Sequence, residues 1–183
     1  EFFELRFNFL RSQLGRGARV IDVGCGEGWF AGALAEAGWS AVGVEVAEEP
    51  LRRARERFPG VEFVLAGETS LPFAEGSFDV AWLGEVLEHV RDGIGLLGEV
   101  ARVIGPDGRL VISTPDHGWR RRLWLGLSRR AFEAHFEPRS DHLRFFTRRT
   151  LAALLDACGF EVVSQRSVRG TLLVTARFAR AAG

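Results

Sequence analysis

Three glycines at alternate positions follow an apolar run that ends in Asp22 and Val23. The stretch reads VIDVGCGEGWF, and its glycines are Gly24, Gly26 and Gly28. Glycine loses more conformational freedom on folding than any other residue, and it suits a loop where something must approach the backbone closely. The spacing therefore predicts a ligand-binding loop directly after a strand.

The glycine spacing alone leaves two classes of ligand open. A dinucleotide needs G-x-G-x-x-G, with its pyrophosphate on the N-terminus of the following helix. Counting from Gly24 puts Trp29 at the third glycine position, where it is too bulky for close packing. Counting from Gly26 gives Gly26, Gly28 and Ala31, which fits the looser G-x-G-x-x-A form, so spacing does not exclude a dinucleotide.

Two carboxylates flank the loop and favour a different ligand. Asp22 lies at the end of the strand before the loop, and Glu45 lies at the end of the next predicted strand. A carboxylate there repels a pyrophosphate but attracts an ammonium group, an interaction worth up to a few kcal/mol at roughly 4 Å when partly screened. Glu45 is placed to accept hydrogen bonds from both hydroxyls of a ribose. The pair predicts an amino-acid-bearing nucleoside without phosphates, and ordinary strand-end acids are the alternative.

Alternating strand and helix signals surround this loop. Short apolar runs predict strands at residues 19–23, 41–46, 61–65, 78–83 and 109–113. Helices are predicted at residues 29–37, 48–58, 85–104 (broken near Asp92) and 147–158, the last N-capped by Thr147 and ended by Gly159. Near-continuous apolar strands separated by helices indicate an α/β fold with a doubly wound parallel sheet covered on both faces. The tail differs, because FEVVSQRSV and TLLVTARF flank Arg169-Gly170 as in a tight antiparallel hairpin.

Composition limits the classes of protein that fit. The chain has 183 residues, 46% of them hydrophobic and 26% charged, and is expected to form one domain over residues 1–183. Its 24 basic and 24 acidic residues cancel, so no nucleic-acid partner is expected. No long apolar run or charged leader is present in the sequence, which predicts a cytoplasmic protein. The lack of Met suggests that the native start is missing. Cys25 and Cys158 are too far apart in sequence for a metal-binding or disulfide motif.

Four stretches carry a resemblance to a known family. They are VIDVGCGEG, VGVEV, LPFAEGSFDVAWLGEVLEHV and GPDGRLVISTPD, with a weaker continuation in HLRFFTRRTLAALLDACGF. Their succession resembles the motifs of class I S-adenosylmethionine-dependent methyltransferases, in particular the small-molecule branch that includes the ubiquinone- and menaquinone-biosynthesis enzymes. The resemblance implies a Rossmann-like sheet of seven strands in the order 3-2-1-4-5-7-6, with an antiparallel strand from the C-terminal hairpin. It also implies methyl transfer from S-adenosylmethionine to an oxygen, carbon or nitrogen of a small-molecule acceptor.

The resemblance assigns cofactor contacts by position. The loop glycines would wrap the methionine part, Asp22 would order the loop and reach the amino group through water, and Glu45 would take the ribose hydroxyls. The implied set is Arg6, Asp22, Gly24, Cys25, Gly26, Gly28, Glu45, Val46, Gly67, Glu68, Leu83 and Gly84. Of these, Val46 would lie beside the adenine, and Leu83 and Gly84 would contribute backbone carbonyls.

One position departs from the family's pattern. Relatives often read G-D-A-E before LPF, with the Asp on the adenine amino group, whereas this chain has Gly67 at the Asp position. Glu68 substitutes for that Asp only if the loop shifts by one residue. A backbone contact to the adenine is the alternative.

Three residues are candidates for catalysis: His89, Glu85 and His142. Methyl transfer from a sulfonium gains most from holding nucleophile, methyl and sulfur in line, and an oxygen nucleophile also needs a general base such as His. The alternatives are a Glu88-His89 hydrogen-bonding pair on a helix surface and a Glu85 carboxylate on backbone N–H groups at a helix start. His142 belongs to a cluster that could instead form a polar strand edge. We predict no metal site from this cluster. The members of that cluster are His135, Asp141, His142 and Arg144.

Two segments are expected to cover the site. Residues 1–17 are predicted to form a helix over the cofactor, and residues 116–146 an insertion that covers the substrate. Within the insertion, residues 119–130 mix five Arg with Trp and Leu, as in a basic amphipathic helix. Such a helix could hold an anionic or lipid-linked acceptor or contact anionic lipid peripherally, and a plain lid with its apolar face on the core is the alternative. Two other functions are left open: an NAD(P)-dependent oxidoreductase, and an inactive regulator that binds S-adenosylmethionine.

Overall fold

A computed structural model describes residues 2–137 and 142–178. Helices and strands alternate along most of the chain, and two strands close it. In order they are α1 Phe2–Arg11, β1 Arg19–Val23, α2 Trp29–Glu36, β2 Ser40–Glu45, α3 Glu48–Arg57, β3 Glu62–Leu65, β4 Val80–Gly84, α4 Gly93–Ile104, β5 Arg109–Pro115, α5 Trp119–Leu127, α6 Arg129–His135, α7 Arg148–Ala157, β6 Phe160–Val168 and β7 Thr171–Phe178.

The strands of the described residues form one seven-stranded sheet in the order β3-β2-β1-β4-β5-β7-β6. β1 pairs in parallel with β2 and β4, and β7 runs antiparallel to both β5 and β6. The predicted fold class and strand order are therefore confirmed. The strand order reverses between β1 and β4, where Asp22 lies beside Trp82, and ligands of open α/β sheets bind at the carboxyl ends of strands at such a point.

The predicted hairpin between β6 and β7 is confirmed, and so is the predicted N-cap of α7 at Thr147. Arg169 and Gly170 have φ angles of 51° and 80°, the left-handed conformation that a two-residue hairpin turn requires at both positions. The Thr147 hydroxyl accepts a hydrogen bond from Thr150 N at the start of α7, and Thr150 Oγ1 accepts from Thr147 N. These two bonds form a capping box that fixes where α7 begins.

Both faces of the sheet are packed. On one face the core includes side chains of α4 and α7, such as Leu97 and Leu155, which are fully buried. On the other face α1 and α2 cover the sheet, and Leu10 and Leu34 pack there around the fully buried Trp82. Each such side chain contributes roughly 1.5–3 kcal/mol by its burial. The two layers fix the loops at the carboxyl ends of β1, β2 and β4.

The helix predicted over residues 85–104 is wrong in its first part. α4 begins at Gly93, and residues 85–92 form turns instead. Glu85 has a φ of 58°, a left-handed conformation that ends β4 and is incompatible with a helix start. Asp92 then caps α4, because its Oδ1 accepts a hydrogen bond from Gly95 N at 2.8 Å. His89 therefore lies on a turn rather than on a helix.

The basic segment of the insertion forms two helices rather than one. Ser128 separates α5 from α6, and its hydroxyl accepts a hydrogen bond from Ala131 N, which caps α6. Leu125 is buried, whereas Trp119, Trp124 and Leu127 have exposed fractions of 67%, 59% and 79%. The apolar residues of α5 thus lie mostly in solvent. None of the described helices is both long and apolar enough to span a bilayer.

Candidate active site

The glycine loop after β1 is anchored to the end of β2. Gly24 N and Cys25 N both donate to the carbonyl of Val44, at 2.8 and 2.9 Å. Gly24, Gly26 and Gly28 have φ angles of 69°, 53° and 78°, in the left-handed region that favours glycine. Glycine is therefore favoured at all three positions of this bend.

The three glycines differ in what surrounds them. A Cβ at Gly24 would lie 2.7 Å from Cγ2 of Val86, and a Cβ at Gly28 would lie 2.6 Å from Cζ of Phe63. A Cβ at Gly26 would meet nothing within 4 Å. The protein's own packing thus explains two of the glycines, and only the Gly26 backbone faces open space.

Asp22 lies at the N-terminus of α2. Its side chain is 3% exposed, and its Oδ2 accepts a hydrogen bond from Ala31 N at 3.1 Å. Burial raises the pKa of this carboxyl to about 7, the bond from Ala31 opposes the rise, and the nearby Glu45 carboxylate adds to it. A side-chain carboxyl therefore occupies the helix N-terminus where a dinucleotide would place its pyrophosphate.

Glu45 ties the glycine loop to the loop after β2. Its Oε2 accepts from Gly26 N at 2.9 Å, and its Oε1 accepts from Val46 N at 2.8 Å and Ala47 N at 3.1 Å. A carboxylate has roughly four acceptor sites, so these bonds orient the group and leave capacity for a ligand. The sequence placed Glu45 at this edge but did not show that the backbone holds both of its oxygens.

Two cavities meet at Gly24, and they contain most of the predicted cofactor positions. The first cavity, about 320 Å³, lies at the ends of β1, β2 and β4, and the second, about 650 Å³, lies under α1. Predicted residues that line the first are Gly24, Glu45, Val46, Gly67, Glu68, Glu85 and His89. Those that line the second are Arg6, Asp22, Gly24, Cys25, Gly26 and Gly84. Leu83, by contrast, is fully buried in the core, and Gly28 packs on Phe63.

Two lining residues have contacts that the sequence did not indicate. The Glu68 carboxylate lines the first cavity and accepts a hydrogen bond from Arg91 N at 3.3 Å. In the second cavity, burial and the carboxylates of Asp22 and Glu45 raise the pKa of the Cys25 thiol above its usual range. Cys25 is therefore held as a thiol and is unsuited to act as a nucleophile.

Glu85 joins three elements at the end of β4. Its Oε1 accepts a hydrogen bond from the Ser113 hydroxyl of β5 at 2.8 Å and lies 3.5 Å from Nη1 of Arg6 in α1. The Glu85 carboxylate thus binds these partners and not backbone N–H groups at a helix start, the alternative that the sequence offers. The Arg6 guanidinium reaches the second cavity while paired to this carboxylate.

Glu88 lies inside the protein, whereas the sequence indicated only a surface hydrogen-bonding partner of His89. It is 1% exposed, and its Oε2 accepts a hydrogen bond from the Thr114 hydroxyl at 2.9 Å. Its Oε1 is buried and has no partner among the described residues. Burial raises the pKa of this carboxyl to about 7. No local pattern in EVLEHV distinguishes it, because its hydrogen-bond partners lie on β5 and in the segment after residue 141.

The predicted polar cluster of the insertion divides into separate contacts. His142 lies against His89, with ring centroids 4.7 Å apart, whereas His135 Nε2 lies 3.1 Å from Nε2 of His117. Arg144 donates to the carbonyls of Val90 and Arg91. Asp141 lies outside the described residues.

His117, just after β5, is a second residue that no sequence pattern indicates. It is 6% exposed, and burial, followed by the positive charge of Arg121 and by His135, lowers its pKa to about 4. The ring is thus neutral near pH 7 and joins the sheet to α6. Only the three-dimensional contact with His135 marks it, since the sequence around His117 carries no periodic signal.

Comparison with known proteins assigns the family. A family model described as "Methyltransferase domain" matches residues 2–165. An O-methyltransferase of Aspergillus nomiae is 32% identical over 172 residues, which cover 89% of this chain and 73% of that protein. The chain belongs to the methyltransferase domain family, as its motifs indicated.

A solved structure shows the same architecture. The 1,6-didemethyltoxoflavin-N1-methyltransferase of Burkholderia thailandensis, with bound 1,6-didemethyltoxoflavin and S-adenosylhomocysteine, has a TM-score of 0.75 and 26% identity, covering 96% of this chain and 77% of that one. A ubiquinone biosynthesis O-methyltransferase of Idiomarina loihiensis is 32% identical over 155 residues, with 81% of this chain and 63% of that protein covered. The chain spans less than half the length of other curated relatives that it matches, with shares of 31% and 41%.

Proposed function

We propose that this chain transfers a methyl group from S-adenosylmethionine to an oxygen, carbon or nitrogen of a small-molecule acceptor. The observation that carries the proposal is the position of Asp22, whose carboxyl accepts the Ala31 N–H at the start of α2. This placement disfavours a dinucleotide, and the positive charge of a ligand's ammonium group would favour the ionised form of the Asp22 carboxyl despite its burial. Membership of the methyltransferase domain family supports the same conclusion.

The residues around the two cavities fit this cofactor. The open space at Gly26 admits a ligand against the backbone, and Asp22 in the second cavity suits its ammonium group. Glu45, oriented by three backbone N–H groups, is proposed to accept from the ribose hydroxyls. Val46, Gly67 and Glu68 line the remainder of the first cavity and are the proposed adenine contacts, with Gly24 between the two parts.

The second cavity also offers donors for a carboxylate. Arg6 lines it, and so does Trp82, whose buried indole N–H has no hydrogen-bond partner among the described residues. Both are proposed to face the carboxylate of the amino-acid part. Cys25 and Gly84 line the same cavity, and Gly28 and Leu83 support it through the loop and the strand. When bound, the cofactor supplies a methyl group made electrophilic by its sulfonium.

Catalysis is proposed to occur at the end of β4. His89 lines the first cavity and is placed to take a proton from an oxygen acceptor, with His142 packed against its ring. Glu85 holds Arg6 and Ser113 in place at the same edge. Because in-line transfer depends mainly on orientation, these residues act by fixing the acceptor as much as by moving its proton.

The insertion is proposed to govern which acceptor binds. Residues 116–146 carry α5 and α6, and a third cavity of about 680 Å³ beside α5 is lined by Arg121, Arg122, Arg148 and Arg149. Exposed Trp119, Trp124 and Leu127 adjoin these arginines. A basic cavity next to exposed Trp and Leu favours an anionic or lipid-linked acceptor, presented at an anionic lipid surface. The cytoplasmic location, the single-domain organisation and the lack of a nucleic-acid partner stay predictions.

Labelled methyl transfer tests this function. The chain is incubated with S-adenosylmethionine carrying a labelled methyl group and separate pools of phenols, amines and lipid-linked acceptors. Incorporation into one pool, lost in Glu45→Ala, is the expected result. Binding of S-adenosylhomocysteine without incorporation into any pool would instead support an inactive regulator.

A further inference from the structure

The segment that follows residue 141 is fastened to the turn after β4. Leu143 N and Arg144 N both donate to the carbonyl of Glu88, at 2.7 and 3.2 Å. The Arg144 guanidinium donates to the carbonyls of Val90 and Arg91. These four bonds bring His142 next to His89, so the approach of the two rings is set by the backbone and not by the side chains alone.

Glu88 completes a group of three at this place. Its carboxyl is held through Oε2 by the Thr114 hydroxyl at 2.9 Å, and its Oε1 is buried without a partner among the described residues. Ligand atoms of Glu88, His89 and His142 lie within 4.8 Å of one another. A fixed carboxyl with one unsatisfied oxygen beside two imidazoles is costly to bury unless something binds there.

We propose that Glu88, His89 and His142 bind a divalent transition-metal cation of the zinc type. Two imidazoles and one carboxylate form the ligand set of open zinc sites, in which a fourth position stays free. Imidazole ligands also favour zinc over magnesium. Donor atoms around a tetrahedral zinc lie about 3.3 Å apart at bonds near 2.0 Å, so binding requires the three ligand atoms, which lie within 4.8 Å of one another, to draw closer together. The sequence predicted no metal site, because only the fold brings Glu88 and His142 together.

This site deepens the proposed function, on which its catalytic role rests. His89 lines the first cavity at the end of β4, where catalysis is proposed, so a cation held by His89 would lie beside the acceptor. A hydroxyl that coordinates there has a lowered pKa and gives its proton to solvent water, which leaves an oxygen nucleophile. In this state His89 is a ligand, and the cation replaces it as the means of deprotonating the acceptor.

Metal binding is measured directly on untagged, chelator-treated protein. Calorimetric titration with zinc chloride is expected to show one tight equivalent, and Co²⁺ in its place is expected to give visible absorption bands of a low-coordinate site. His142→Ala should weaken zinc binding by at least about 100-fold, and Glu88→Gln should also weaken it. His135→Ala is the matched control, because this imidazole of the insertion pairs with His117 instead. Magnesium chloride is expected to bind far more weakly than zinc.

The outcomes separate this inference from the proposed function. Equal zinc affinity in His142→Ala and His135→Ala, or no zinc binding by the wild type, overturns the metal site. S-adenosylhomocysteine binding is measured on the same samples, and its persistence there leaves the proposed function intact. Circular dichroism of each variant shows whether a loss of zinc binding follows from unfolding. Glu88→Gln is a second, milder variant, because its amide oxygen can still accept the hydrogen bond from Thr114.

Discussion

Arg6 in α1 and Glu85 at the end of β4 form an ion pair, with Nη1 3.5 Å from Oε1. The pair joins the helix that covers the second cavity to the strand end that borders the first. Because Glu85 also accepts the Ser113 hydroxyl, the carboxylate is fixed from two sides. The guanidinium is therefore positioned at the site before any ligand arrives.

Arg6→Gln should weaken the binding of a ligand that carries an amino-acid carboxylate. We expect about tenfold weaker binding of S-adenosylhomocysteine, because a charge-assisted hydrogen bond is lost. Methylthioadenosine lacks the amino-acid part and should bind Arg6→Gln and the wild type equally. Calorimetry with both ligands measures the difference, and an equal loss for the two would show that Arg6 only holds α1 in place.

Asp22 should make the stability of the protein depend on pH. Its pKa is raised from 3.8 to about 7, so between these values the folded protein holds a proton that the unfolded chain has lost. The free energy of unfolding must therefore fall as pH rises from about 4 to about 7, and level off above it. Between pH 5 and pH 8 this contribution is roughly 3 kcal/mol.

Urea unfolding of the wild type and Asp22→Asn at both pH values checks this slope. Groups common to both proteins, Glu88 and His117 among them, cancel in the comparison. The wild type should lose more stability than Asp22→Asn on going to pH 8. Parallel pH dependence in the two proteins would mean that Asp22 is not desolvated as described.

Gly26→Ala should impair ligand binding rather than folding. An Ala at a φ of 53° is strained by about 1 kcal/mol, and its methyl group would enter the open space proposed for the cofactor. Gly17→Ala is the matched control, since Gly17 has a φ of 70°, nothing within 4 Å of an added Cβ, and no part in either cavity. Both variants should lose similar stability, but only Gly26→Ala should bind S-adenosylhomocysteine at least about tenfold more weakly.

Gly28→Ala should impair folding more than Gly26→Ala does. Its Cβ would overlap the Phe63 ring at 2.6 Å and the Ala54 methyl group at 2.9 Å, both in the core. This variant should unfold at a clearly lower temperature than Gly26→Ala. Identical melting temperatures for the two would contradict the separate roles assigned to these glycines.

Vesicle binding tests the surface of α5. Sedimentation with vesicles of phosphatidylglycerol should bring down the wild type, and vesicles of phosphatidylcholine should bring down much less, because arginines adjoin the exposed apolar residues. The double variant Trp124→Ala, Leu127→Ala should lose most of this binding. Ile94→Ala removes a similarly exposed side chain of α4, outside the insertion, and should keep the vesicle binding. Equal sedimentation of the double variant would rule out this surface.

The architecture was predictable because its signals are local. The glycine loop, the apolar strands, the Thr147 cap and the Arg169-Gly170 turn each lie within a few residues of one another. Short-range rules of this kind, together with the family resemblance, were enough to predict the strand order that the structure confirms. The position of Asp22 and Glu45 at one edge of the sheet was also predictable, because strand ends of a parallel sheet share one edge.

The polar contacts at the end of β4 were not predictable, because they join residues distant in sequence. Glu88 is buried, and it accepts hydrogen bonds from the Thr114 hydroxyl and from the backbone of Leu143 and Arg144. Helical spacing in LGEVLEHV hid the left-handed turn at Glu85. His117 and His135 likewise meet only in the fold.

The site between Asp22 and Glu45 is proposed to take a zwitterionic nucleoside and not a dinucleotide. Calorimetric titration of the purified chain with S-adenosylhomocysteine and, separately, with NADH measures this choice most directly. We expect one equivalent of S-adenosylhomocysteine to bind in the micromolar range or tighter, and NADH to give no measurable heat. Saturable binding of NADH without binding of S-adenosylhomocysteine would contradict it.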